Sequence, residues 1–307
     1  MNPGVNAAAG AATITGVLLP LALAFIMLYL GLTLQLGDFR AVLRRPRALV
    51  AGLVGQMLML PLLGWVVAEL ALSAGLPPVM AVGLMVLAAC PGGVSSGLVT
   101  HLAGGDVALS IALTAVTSIA AMLSLPLVVD VALQHFMASS LSIDLPLAQM
   151  VRSVFLLTTL PVLIGMALRA WRPVRVQRIE PLAGRIATGL FLLIVLATFW
   201  SQRLVLAEHL GGVGLAALAL NAAVLAGAWG LGSQAGLDRR DRIAVATECG
   251  LQNSALGIYV CVELLRQPAM SVPSVVYALL MNGGAIAFVL LMRRRPGGAP
   301  GCAGAGA

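Results

Sequence analysis

Residues 247 to 254 read TECGLQNS and set an acid, two amides, two hydroxyls and a glycine between the apolar runs IAVA and ALGIYVCV. Of the chain's eleven acidic residues, ten fall between apolar stretches or near their ends, and Glu248 alone falls in the middle of one. A carboxylate at bilayer depth costs about 2.5 to 3.5 kcal/mol on insertion scales, so it needs a partner. No arginine lies mid-stretch to serve. Two partners remain: a proton, which makes the acid neutral, or a bound cation, which keeps it charged. The other polar side chains within apolar stretches include Gln56, Ser96, Ser110, Thr114 and Gln252. Their neutral oxygens suit a hard monovalent cation such as sodium, whereas a soft metal asks for thiolate or imidazole. Ser110 and Thr114 are four residues apart and share one helical face.

The elements that must position these groups are membrane helices. The 307 residues are 60% hydrophobic and 9% charged, with a mean hydropathy of +1.03, whereas a soluble domain carries about 25% charged residues. The apolar runs suit helical spans of about 20 residues and not the ten-residue alternation of a barrel. Nine candidates result: 14–36, 48–70, 78–103, 107–129, 146–168, 186–206, 211–232, 243–265 and 272–292. The fold class expected is an all-α polytopic membrane protein. Residues 1–13 form a short leading segment without the basic region of a cleaved signal, 14–292 the nine-span domain, and 293–307 a tail.

Every basic residue is arginine, and the net charge of +7 resides between spans, so it does not indicate a nucleic-acid partner. Fifteen of the eighteen follow spans 1, 5, 7 and 9. By the positive-inside rule those loops are cytoplasmic, which places the N-terminus outside and the C-terminus inside an inner (plasma) membrane. Arg152, Arg203 and Arg266 are the exceptions, each close enough to a span end to snorkel. Cys90, Cys249, Cys261 and Cys302 show no CxxC spacing and predict neither a disulfide framework nor a zinc site. His101, near the cytoplasmic end of span 3, reads as a satisfied polar residue.

Two spans are interrupted. Span 3 contains ACPGGVSSGLVTHLAGG and span 8 contains TECGLQNS. They stand five places apart in the order of spans, an odd number, so they cross the membrane in opposite directions, the sequence pattern of an inverted-repeat secondary transporter with its site near the midplane. No HExxH, GxSxG or second carboxylate accompanies Glu248. No catalytic or cofactor-binding residue is therefore assigned, and enzyme and sensor readings are set aside.

The segments ACPGGVSSGLVTHLAGGDVALSIALTAVTS and ECGLQNSALG resemble the bile acid:sodium symporter family, whose hallmark segments have the form CPGGxxSN and ExGxQNS. The resemblance runs from about residue 15 to residue 292. It implies inverted repeats arranged as a core domain (spans 78–129 and 211–265) and a panel domain (the remaining spans), in the nine-span variety. It also implies sodium-coupled import of an amphipathic organic anion, bile-acid-like or a small carboxylate. Carried over by position, one sodium site draws on Ser96, Ser110, Thr114 and Glu248. The other draws on Gln56, Glu248 and Gln252, with the main-chain carbonyls of Cys249 and Leu251. Asn253 and Asn282 fall where the family meets substrate, and Val94 and Met281 make that cavity more apolar. Gly97 stands where the family has asparagine, so the first site has one side-chain oxygen fewer, and one or two sodium ions remain open. The alternative on the same fold is a proton-coupled or uncoupled carrier, for instance an arsenite exporter using Cys90 and Cys249. Neither the anion carried nor the oligomeric state is written in the sequence.

Overall fold

The computed structural model describes residues 3–35, 37, 43–137 and 147–294, with side chains from Val17 onward. Arg40, Arg295, Cys302 and residues 138–146 lie outside the described residues, and so does the side chain of Arg294. Among the described residues the regular elements are helices: α1 (Pro3–Thr33), α2 (Pro46–Ser73), α3 (Pro78–Ala89), α4 (Ser96–Ala103), α5 (Val107–Met137), α6 (Leu147–Trp171), α7 (Pro173–Ser201), α8 (Arg203–Gln234), α9 (Arg239–Gly250), α10 (Ser254–Leu264) and α11 (Val272–Arg294). Extended pairing among them is confined to a bridge between Gly92 and Gln252.

Among the described residues six segments are long and apolar enough to cross a membrane: α2, α5, α6, α7, α8 and Pro268–Arg293. Three shorter apolar helices accompany them, Val17–Thr33 within α1, Pro78–Ala89 and Ser254–Leu264. Leu62, Leu127, Leu196 and Leu215 are all more than half exposed on the outer faces. A coat of outward leucines suits hydrocarbon, not water.

Within α2 and α6 one turn widens to π geometry, at Gly55–Met59 and at Phe155–Thr159. Both wide turns immediately precede a Leu-Pro pair, Leu60–Pro61 and Leu160–Pro161. Proline has no N–H to give and crowds the carbonyl one turn back, so the helix loosens just before it. In α2 this loosened turn carries Gln56.

Helices α1, α6 and α7 pack on one another. Gly31 of α1 and Gly165 of α6 make the approach possible, because a Cβ on the first would overlap the Val162 carbonyl and a Cβ on the second the Leu28 carbonyl. The other helices form a second group: α2 packs on α3 and α8, α5 on α3, α8 on α9 and α11, and α9 on α4 and α5. The segments 48–70 and 272–292, which the resemblance assigns to the panel, therefore pack with the broken helices. Small residues seat them there. A Cβ on Gly64 of α2 would lie 2.6 Å from the Ala88 Cβ, and one on Gly284 of α11 would fall on Asn221.

Contacts gather the arginine-bearing loops at one end. Arg45 bridges Asp106 (2.8 Å) and Asp241 (3.0 Å), Arg239 donates to the Met292 carbonyl, Arg293 donates to the Leu102 carbonyl (2.9 Å), and Arg169 donates to the Leu32 carbonyl at the end of α1 (3.1 Å). Burial works to raise the Asp106 carboxyl, but the Leu109 N–H and the Arg45 guanidinium outweigh it and hold the group below its usual range. Arg45 thereby joins the start of α2 to the starts of α5 and α9.

Candidate cation and substrate site

The two broken helices meet at their breaks. α3 ends at Cys90, which is extended and followed by Pro91, and α9 ends at Leu251, also extended. The unwound stretches pair: Gly93 N–H donates to the Leu251 carbonyl (2.6 Å), and Asn253 N–H donates to the Pro91 carbonyl (2.9 Å). Backbone freed by the breaks is thus satisfied inside the protein, which membrane depth requires.

Glu248 lies beside this crossing with no exposure at all. Its Oε2 accepts from Thr114 Oγ1 (2.7 Å) and Ser96 Oγ (2.8 Å), and its Oε1 from Thr117 Oγ1 at 3.4 Å. Ser110 Oγ donates to Ser96 Oγ at 3.3 Å, so all four residues of the first expected set come together. No ion pair among the described residues involves Glu248. A Cβ on Gly92 would fall on the Glu248 carboxylate, so the glycine leaves the acid its room.

The second expected set forms an adjoining cluster of amides. Gln56 Nε2 donates to the Cys90 carbonyl (2.7 Å) and to Gln252 Oε1 (2.9 Å), and Gln252 Nε2 donates to the Cys249 carbonyl (2.6 Å). Gln56 Oε1 is buried and has no partner. Such an acceptor costs about 1 to 3 kcal/mol when left unmade, and a cation would satisfy it. The Gly250 carbonyl is held by Tyr277 Oη (2.8 Å) and Asn221 Nδ2 (2.9 Å), both fully or almost fully buried.

Against the crossing, where Gly93 and Gln252 face it, lies a cavity of about 360 Å³ that Val94, Asn253, Met281 and Asn282 all line. Ser95, just before α4, and Ser254 and Ala255, which open α10, face it too. Asn253 Oδ1 caps α10 by accepting from Leu256 N–H at 3.1 Å. Two helix N-termini, each with positive partial charge, therefore border one cavity.

Residues 20–209 match the profile described as the Sodium Bile acid symporter family. The chain belongs to the sodium bile acid symporter family. It is 31% identical over 274 residues to a probable chloroplast sodium/metabolite cotransporter of Oryza sativa subsp. japonica, covering 89% of this chain and 63% of that protein. It is 27% identical over 268 residues to an uncharacterized sodium-dependent transporter of Bacillus subtilis (strain 168), 85% of this chain and 78% of the relative. The ileal sodium/bile acid cotransporter of Cricetulus griseus is 28% identical over 193 residues, 63% of this chain and 54% of the relative. The chain spans 63%, 61% and 60% of the length of three chloroplast relatives.

For this member of the sodium bile acid symporter family, sequence reasoning missed Thr117, Asn221 and Tyr277. Thr117 also donates to its own turn, at the Thr114 carbonyl (3.2 Å), the usual occupation of a membrane threonine. Its spacing of three from Thr114 was the available signal. Cys90 and Cys249 are fully buried and do not line the cavity. Cys90 Sγ donates to the Val86 carbonyl at 3.2 Å, while Cys249 Sγ lies against Gly55.

Gly97 does not face the carboxylate. A Cβ there would point at Ile111 Cγ1, 3.1 Å away, so an asparagine enters only if Ile111 yields. Gly97→Asn is therefore expected to leave sodium affinity unchanged and to lower the melting temperature, because its side chain presses on Ile111 Cγ1 instead of reaching the carboxylate. A sodium titration of the melting temperature checks it, and a several-fold gain in affinity would mean that the added amide reaches the ion shell after all.

Proposed function

We propose that the protein is a sodium-coupled symporter that imports an amphipathic organic anion by alternating access. The observation that carries this reading is Glu248, an unexposed carboxylate ringed by hydroxyls and next to the unpartnered Gln56 Oε1. Sodium would be held by Ser96, Ser110, Thr114 and Glu248, and a second ion by Gln56, Glu248, Gln252 and the carbonyls of Cys249 and Leu251. The anion would sit in the 360 Å³ cavity, its charge toward the N-termini of α4 and α10 and its body against Val94 and Met281. The relatives' printed names, sodium/metabolite and sodium/bile acid cotransporters, support the same pairing of solutes.

In this reading α3 with α4, and α9 with α10, each make one pass, and the chain crosses an inner membrane nine times. Its arginine-rich end is cytoplasmic and its N-terminus outside. The panel is α1, α6 and α7, and the core is everything else, the division that the packing supports. Arsenite efflux through Cys90 and Cys249 is disfavoured because both are fully buried and neither lines the cavity.

The test is the thermal stability of the purified protein in sodium against choline, followed by uptake into proteoliposomes. Sodium at 100 times its dissociation constant should add about 2.7 kcal/mol of stability. Equal melting in both salts, or uptake indifferent to sodium, would overturn this reading in favour of the proton-coupled or uncoupled alternative, and dependence on a proton gradient would decide between those two.

A further inference from the structure

Arg266 breaks two rules at once. It is one of three arginines away from the arginine-rich end, and among the described residues it alone combines a side chain with a positive φ, of 54°. It terminates α10 in a left-handed cap: Gln267 N–H donates to the Cys261 carbonyl at 2.9 Å, a geometry for which glycine is the default. A residue with a Cβ rarely adopts this conformation, so the guanidinium calls for a reason of its own.

The reason lies in front of it. Arg266 lines a cavity of about 590 Å³, the larger neighbour of the central one. The two cavities succeed each other along the same three helices. α1 offers Ile26 and Tyr29 to the central cavity and Leu18, Leu19 and Ala22 to the outer one. α7 passes from Ala187 through Leu192 to the stretch between Leu193 and Ser201, with Gln202 just past its end, and α10 from Ser254 and Ala255 to Val262, with Arg266 just past its end. The outer cavity has an apolar wall, with Leu18, Leu193 and Ile194, and a polar rim of Thr198, Ser201, Gln202 and Arg266. Glu263 also faces it, its Oε2 3.6 Å from Arg266 Nη1, and their side chains are 13% and 79% exposed. With the Arg266 side chain 79% exposed and 3.6 Å from its partner, the pair is weak and the guanidinium is open to another anion.

We propose that this outer cavity is a capture site for an amphipathic carboxylate, its head group on Arg266 and its apolar body on the α1 and α7 wall, before the anion reaches the central cavity. The site rests on the symport reading for its purpose, though not for its existence. Capture needs no sodium, because Glu248 and its hydroxyls are not part of it. Glu263 opposes entry until the incoming carboxylate displaces it from Arg266.

The test is calorimetric titration of cholate into the full chain in phosphatidylcholine nanodiscs, in choline and then in sodium buffer. In choline the parent should bind cholate at a single site. Arg266→Gln should weaken it about tenfold, the value of one charge-assisted hydrogen bond, and Arg266→Lys should retain most of it. Arg266→Gly should lose binding equally while melting no lower, since glycine suits that cap, and Glu263→Gln should bind more tightly than the parent. The proposal is overturned if the parent binds no cholate in choline, or if Arg266→Gln and Arg266→Gly bind as the parent does. Displacement of cholate from that site by phosphatidylglycerol would make it a lipid site and overturn it as well. If sodium leaves the melting temperature unchanged while the Arg266-dependent cholate site persists, the symport reading fails and the capture site stands.

Discussion

Replacing Glu248 with glutamine is expected to abolish sodium-dependent stabilisation of the purified protein, with no loss of melting temperature in sodium-free buffer. The carboxylate has three hydroxyl donors and no cationic side chain, so its charge in the folded protein is compensated only by dipoles. Without sodium, a glutamine of the same size removes an uncompensated buried charge, and its amide can face the rotatable hydroxyls of Ser96 and Thr114. With sodium the sign reverses, since the variant lacks the one formal charge in either proposed ion site. Losing one partner of a buried charge pair costs about 3 kcal/mol or more, which is roughly a hundredfold in affinity. Because binding of the two solutes is linked, anion affinity should lose its sodium dependence as well. Sodium and anion titrations of the variant decide the matter. A variant that sodium stabilises as strongly as the parent would remove Glu248 from the ion site.

The reason that much of this site could be read in advance is that membrane depth makes polarity conspicuous. Glu248, Gln56 and Gln252 are rare types in apolar runs, and each ends up in the hydrogen-bonded cluster at the crossing. Pro91, Gly92 and Gly93 likewise marked the break, because proline lacks an N–H and glycine tolerates unwinding. What the sequence concealed was direction. Gly97 sits next to Ser96 in the chain, yet its missing Cβ points toward Ile111, and no linear pattern distinguishes the two faces of so short a helix. Asn221 and Tyr277 were concealed for another reason, since their partner is the Gly250 carbonyl, a backbone group that exists as an acceptor only once α9 stops. Grouping the helices also exceeded the sequence. Nothing in the apolar run of 48–70 says that Gly64 will meet Ala88, and that contact, among others, seats α2 beside the broken helices instead of beside α1.

Gly92→Ala should impair the site almost as severely as the loss of the acid, by a wholly steric route. Gly92 is not among the glycines with positive φ, so alanine is permitted by its backbone, and the glycine serves for space. The added methyl would occupy the position of the Glu248 carboxylate, forcing that side chain away from Ser96 and Thr114. Overpacking of this kind costs about 1 to 3 kcal/mol in a close-packed interior. Sodium-dependent stabilisation should vanish with the displaced ligand. The steric origin makes a second prediction, because Glu248→Ala deletes the atoms that the methyl strikes. In the double variant, adding Gly92→Ala to Glu248→Ala should cost less than about 0.5 kcal/mol, leaving a coupling energy of roughly 0.5 to 3 kcal/mol between the two positions. Melting temperatures of the parent, both single variants and the double variant in sodium-free buffer complete the cycle. Additive losses would mean that the methyl damages the pairing of Gly92 with Gln252 instead, and that the room beside Glu248 is not what the glycine preserves.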